Sequence, residues 1–176
     1  MSEKGMIKVH KFIVGVMGGG EGASRKTLEM AYQLGKLLAS EGWALLCGGR
    51  AAGVMEASAK GAKEAGGLTV GILPGRDKSG ASRYIDIAIC TGMGDGRNYI
   101  NVLSSDIVVA LPGRAGTISE IALALKSGKK VILLDFDTGD LFDFYRSEGL
   151  LWSVRTPEEA IRLIKEYYVE KYNSPA

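Results

Sequence analysis

The sequence predicts an α/β protein built on a mainly parallel sheet with helices on both faces. Three observations predict it. Short apolar runs, glycine loops and longer helical patterns alternate along the chain, the order expected of strand–crossover–strand units. The first run, FIVGVM, is apolar throughout, which marks a strand buried on both faces. The 25 glycines gather just after such runs, where right-handed crossovers bring the loops to one edge of the sheet.

Each element follows in order. FIVGVM (12–17) is the first strand, and the loop GGGEGAS leaves it. A helix spans about Ser24 to Glu41, with Leu28, Ala31, Leu34, Leu37 and Leu38 on one stripe, Ser24 as N-cap and Gly42 as stop. WALLC (43–47) is the second strand, GGRAAG its exit, and a helix runs through Val54–Ala65 to Gly66-Gly67. LTVGIL (68–73) and the shorter IDIAICT (85–91) are the third and fourth strands, separated by PGRDKSGAS. After GMGDGRN comes a helix over about Asn98–Ser104. DIVVAL (106–111) leads through PGRAG into a helix over Thr117–Lys126, and KVILLD (130–135) is the sixth strand. One helical turn is expected in FDTGDLFDFYRSEG, a short strand at WSV (152–154), and a closing helix from Pro157 to about Lys171. The whole chain, 1–176, is expected to form a single domain with loose ends at 1–11 and 173–176.

Composition removes several classes of function. Lys and Arg number 22 against 20 Asp and Glu, spread along the length, so the chain lacks the clustered basic face of a nucleic-acid binder. No apolar run approaches the ~18 residues of a membrane span, and MSEKGMIKVHK has no signal-peptide centre; a cytoplasmic protein is expected. His10 is the only histidine, which excludes a serine–histidine triad and a multi-histidine metal site. Cys47 and Cys90 end apolar segments and read as small buried hydrophobes. Asp135, Asp137 and Asp140 do not match a calcium loop and read as solvated or capping carboxylates, so no metal is expected.

Chemistry is therefore expected in the glycine loops. In open parallel sheets, ligands bind beyond the carboxyl ends of the strands. Gly18, Gly20 and Ala23 satisfy the dinucleotide spacing G-x-G-x-x-[GA], but no acid stands at the end of the second strand to take a ribose hydroxyl. Gly18, Gly19 and Gly20 are instead read as backbone or phosphate contacts at a helix start. Glycine–arginine pairs recur at Gly49-Arg50, Gly96-Arg97 and Gly113-Arg114. Glycine brings amides to an anion, and arginine adds a planar two-pronged donor. Glu120 has two readings: a stabilising charge in the first helical turn, within the capping box Thr117-x-x-Glu120, or a working carboxylate beside Arg97 and Arg114.

These motifs resemble a known group. GGRAAGVM (48–55) is similar to the GGGxxGLM motif, and PGRAGTISE (112–120) to the PGGxGTxxE motif, of the LOG family within the SLOG superfamily. LOG proteins are phosphoribohydrolases that activate cytokinins, formerly called lysine decarboxylase-like. The resemblance covers about 12–135 and implies a Rossmann-like fold, with Arg97 and Glu120 at the positions of the catalytic arginine and glutamate. Two departures stand out: the glycine at the third residue of each motif is arginine, Arg50 and Arg114, and Asn98 replaces a lysine. With the stretch RNYINVLSSDIVVA (97–110), they resemble more closely the molybdenum cofactor carrier branch, which binds a phosphorylated pterin without turning it over.

Three functions remain open at this level. A carrier of molybdopterin would hold the phosphate on Gly48, Gly49, Gly53, Gly113, Gly116 and Thr117, with charge from Arg50 and Arg114. A hydrolase of nucleoside 5′-monophosphates would use Glu120 to stabilise an oxocarbenium-like ribose or orient water, and Arg97 to position the ribose or phosphate. A nucleotide sensor would use the same pocket. The resemblance also implies a homo-oligomer, dimer or tetramer, with the helices from Asn98 and Thr117 at the interface.

Overall fold

The computed structural model describes residues 10–173; most of the ends expected to be loose lie outside them. Seven strands form one sheet: β1 (Ile13–Met17), β2 (Ala44–Cys47), β3 (Thr69–Leu73), β4 (Ile87–Cys90), β5 (Ile107–Ala110), β6 (Val131–Leu134) and β7 (Leu151–Val154). Their order is β4-β3-β2-β1-β5-β6-β7, and every neighbouring pair is parallel. Chain order reverses between β1 and β5, which is where such sheets open a crevice.

Among the described residues six α-helices cover the sheet: α1 (Arg25–Ser40), α2 (Gly53–Glu64), α3 (Arg97–Ser104), α4 (Ala115–Lys126), α5 (Asp143–Ser147) and α6 (Pro157–Asn173). One core contains Val14, Leu45 and Val109 from the strands with Leu34 and Leu38 of α1, Val54 of α2 and Ile164 of α6. The other contains Met17, Leu46 and Val108 with Val102 of α3 and Ile121 of α4. Successive strand residues thus enter opposite cores, and each buried aliphatic side chain contributes about 1.5–3 kcal/mol. This is why the strands read as unbroken apolar runs rather than alternating ones.

Helices α1 and α2 touch backbone to backbone. A methyl group on Gly35 would fall on the carbonyl oxygen of Ser58, and one on Gly61 on that of Tyr32. Ser24 caps α1 as expected, its Oγ accepting from the Thr27 N–H at 3.1 Å.

The capping box expected at Thr117 and Glu120 is a correction. Helix α4 starts at Ala115 with Arg114 as N-cap, and no side chain caps it. Thr117 and Glu120 are both buried inside the helix, because its N-cap stands three residues earlier than the motif implies. A working box stands instead at Thr156 and Glu159, before α6. Glu159 Oε2 accepts from the Thr156 N–H at 3.2 Å, and Thr156 Oγ1 accepts from the Glu159 N–H at 3.3 Å.

Candidate functional site

A cleft of about 520 Å³ opens at the carboxyl ends of β1 and β5, on the reversal of strand order. Its floor is made of loops tied to one another. The Gly19 N–H donates to the Pro112 carbonyl at 3.0 Å, and the Val54 N–H to the Gly19 carbonyl at 2.9 Å. Gly53 makes the second contact possible: it sits at φ 55°, and any side chain there would strike the carbonyls of Gly19 and Gly20.

Arg97 forms one wall from the first residue of α3 and is only 8% exposed. A side chain at Gly48 would occupy the space of its two terminal nitrogens and of Met55 Sδ, so the bare backbone at Gly48 is what admits the guanidinium. Arg97 Nε is buried without a hydrogen-bond partner. Burial lowers the pKa of Arg97, with Glu120 opposing that shift. Glu120 reaches the same cleft from α4 and is 7% exposed. Its Oε1 accepts from Asn101 Nδ2 at 2.9 Å. Burial raises the Glu120 pKa, opposed by the Asn101 hydrogen bond and the charge of Arg97. Cys47 lies beneath, its thiol pushed up to about 11 by burial, as suits an inert hydrophobe.

The opposite wall is the open start of α4. Its first N–H groups have no capping side chain, and Gly113, Gly116 and Thr117 line the cleft there. Arg114 is exposed; its Nη2 is the nearest atom to where a side chain on Gly22 would stand, in the loop after β1. The arginine set into this glycine turn therefore spans the cleft mouth rather than filling its floor.

Of the residues singled out in the sequence, Gly18, Gly19, Gly20, Gly48, Arg97, Gly113, Arg114, Gly116, Thr117 and Glu120 line this one cleft. Gly49, Arg50 and Gly53 are not among its lining residues. Gly49 packs against Gly71 and its carbonyl accepts from Ser82, while Arg50 is exposed and pairs its backbone with Ala81. Sequence reasoning missed Asn101, one helical turn beyond Arg97, and Asp135, which lines the cleft and pairs with Lys26. The sequence alone gives Asp135 no mark that separates it from Asp137 and Asp140. Among the described residues no three His, Cys, Asp or Glu side chains gather as a metal-holding group.

The model of the SLOG cluster4 family matches residues 11–161, a span that takes in every strand and every loop of the cleft. The chain belongs to the SLOG cluster4 family. Among solved SLOG-like structures, it is 52% identical to the molybdenum cofactor binding protein of Rippkaea orientalis, covering 91% of this chain and 99% of that one, with a TM-score of 0.86. It is 44% identical to the molybdenum cofactor carrier protein of Chlamydomonas reinhardtii, over 89% and 98%, with a TM-score of 0.82. A more distant relative is the cytokinin riboside 5′-monophosphate phosphoribohydrolase of Mycobacterium tuberculosis. The identity there is 33% over 116 residues, 61% of this chain and 62% of the relative. The Rossmann-like α/β fold expected from the motifs is the fold of this SLOG protein.

Proposed function

We propose that this protein binds the molybdenum cofactor, a phosphorylated pterin, in the cleft at β1 and β5 and carries it unchanged. The observation that carries this reading is Arg97: a guanidinium buried in the cleft wall, with no ion pair to Glu120, across from the uncapped start of α4. A buried cation and open amides are costly for an empty protein and favourable around a phosphate. The R. orientalis and C. reinhardtii proteins, named for this cofactor, support the same reading. The cleft volume suits one small molecule of this class.

On this reading Gly116 and Thr117 offer amides and a hydroxyl to the phosphate, Arg97 supplies charge from beneath, and Arg114 closes the mouth. Glycine at 48 leaves room for Arg97. Glu120 accepts from Asn101 and makes no hydrogen bond to Arg97, so the guanidinium keeps its donors for a ligand. The molybdenum arrives with the cargo, and no residue of this chain needs to ligate it.

Mixing the purified protein with isolated cofactor, removing the excess and converting the retained pterin to its fluorescent oxidised form tests the proposal. One pterin per chain is expected, with at least about tenfold weaker retention in Arg97→Ala, the loss of one charged hydrogen bond. Wild-type protein that retains none overturns it.

A second reading has one observation in its favour: Arg97 and Glu120 face the same cleft, as nucleotide hydrolysis would require. Its test is release of free base from a panel of nucleoside 5′-monophosphates. Base released by the wild type and lost in both Glu120→Gln and Arg97→Ala would replace the carrier with a phosphoribohydrolase.

The protein is further proposed to act in the cytoplasm as a symmetric dimer or tetramer. Tyr99 and Leu103 of α3 and Ile87 and Ile89 of β4 are exposed, and they supply an apolar face for a second copy. Light scattering of Leu103→Glu against wild type checks it; an unchanged mass removes α3 from the interface.

A further inference from the structure

We propose that Lys26 is a second cation of the phosphate site, held in readiness by Asp135 and released to the ligand when a phosphate monoester enters. This rests on the phosphate-binding reading of the cleft and names a residue that reading did not use. The first turn of α1 carries Arg25 and Lys26 and no acid. Cations are the wrong charges for a helix N-terminus, whose dipole favours anions. Sequences break such local rules mainly where function requires it. Here the same turn contributes Ser24 and Thr27 to the cleft lining, and Lys26 reaches the lining residue Asp135, at the edge of a cavity into which Arg97 brings a buried Nε without a hydrogen-bond partner.

Asp135 explains how Lys26 is kept there. Lys26 Nζ lies 2.6 Å from Asp135 Oδ2. Asp135 follows β6, one strand spacing, about 4.8 Å, from the β5 exit that leads to the open start of α4. It is the one non-glycine among the described residues with positive φ, 50°, and its N–H is fixed on the Val154 carbonyl at 2.8 Å. Aspartate tolerates that conformation better than most residues, and there its carboxylate meets the lysine at the cleft edge. A phosphate monoester, with close to two negative charges at neutral pH, competes with a single carboxylate for the ammonium. Lysine suits such exchange: it is a point charge on a flexible stem.

The alternative is an ordinary surface ion pair that stitches α1 to the β6 exit. The two differ in sign. If Lys26 serves the ligand and Asp135 restrains it, removing one partner weakens phosphate binding and removing the other strengthens it. A stitch gives both variants the same behaviour.

The experiment is calorimetric titration of the full chain with inorganic phosphate, using wild type, Lys26→Met and Asp135→Asn. Asparagine keeps the positive-φ conformation, and methionine keeps the stem and the helix. Lys26→Met is expected to bind about fivefold more weakly and Asp135→Asn about threefold more tightly, the scale of an exposed ion pair. Thermal midpoints without phosphate report any shared loss of the ion pair separately. Variants that bind like wild type, or shift in the same direction, overturn the role of Lys26 while leaving the phosphate site standing. Wild type that binds no phosphate defeats the site itself, and the Lys26 proposal with it.

Discussion

Asn101, not Arg97, hydrogen-bonds Glu120: the amide Nδ2 donates to Oε1 at 2.9 Å, and no hydrogen bond or ion pair joins Glu120 to Arg97 across the same cleft. Burial outweighs both that hydrogen bond and the charge of Arg97, so the folded protein carries a carboxyl that grips its proton more tightly than the open chain does. Stability from this group is complete below the ordinary carboxylate pKa and is lost as pH rises through the raised value. Glu120→Gln keeps the acceptor for Asn101 and removes the charge. It is expected to gain stability relative to wild type as pH rises through that window and to hold the gain above it. Urea melts across the range check this; a pH-independent difference contradicts it. Asn101→Ala, which strips the carboxylate of its donor, is expected to cost about 1–3 kcal/mol.

Arg50 and Arg114 occupy the same place in two similar motifs but different places in the fold. Arg114 lines the cleft, and Arg50 does not. Retention of a phosphorylated pterin is expected to fall about fivefold or more in Arg114→Ala and to stay within twofold of wild type in Arg50→Ala. Equal losses would move Arg50 into the site.

Gly48→Ala tests the seat of Arg97. The added methyl group meets the guanidinium nitrogens and Met55 Sδ in a buried space. Overpacking of this kind costs about 1–3 kcal/mol. Ligand retention is expected to fall with stability, as in Arg97→Ala. Retention unchanged in a folded variant would show that Arg97 can bind from a displaced position.

The two threonine–glutamate motifs give a paired prediction. Thr156→Ala removes a capping bond seen at the start of α6 and is expected to lower stability by about 1 kcal/mol without altering ligand retention. Thr117→Ala removes a buried hydroxyl from the cleft wall and is expected to lower retention. Chemical denaturation and pterin retention, measured on both, separate the roles.

The strands, the helices and the sheet edge that carries the site were legible because each rests on a local pattern. Apolar runs had to fill two cores, and glycine marked the exits. Arg97 and Glu120 were found through motif spacing. Asn101 was not, since an asparagine inside an apolar helix has no local mark until α4 is packed beside α3. Asp135 looked like its neighbours Asp137 and Asp140; only the order of strands puts it at the cleft while Asp137 accepts from the Gly139 N–H in its own turn. Gly49 and Arg50 share a motif with Gly48 yet stand outside the cleft lining. The resemblance was local, and the chain from Gly80 to Ser82 draws that loop away.

Gly19 spends its N–H on Pro112 and its carbonyl on Val54, so the loops after β1 and β5 and the start of α2 form one braced floor before any ligand arrives. The entropy of ordering that floor is lost during folding, not at each encounter. A ligand that enters the cleft then needs no rearrangement of that floor. On the phosphate-binding reading, the residence time is then shared between Arg97, fixed in the wall, and the exposed side chain of Arg114, whose rotamers exchange within nanoseconds.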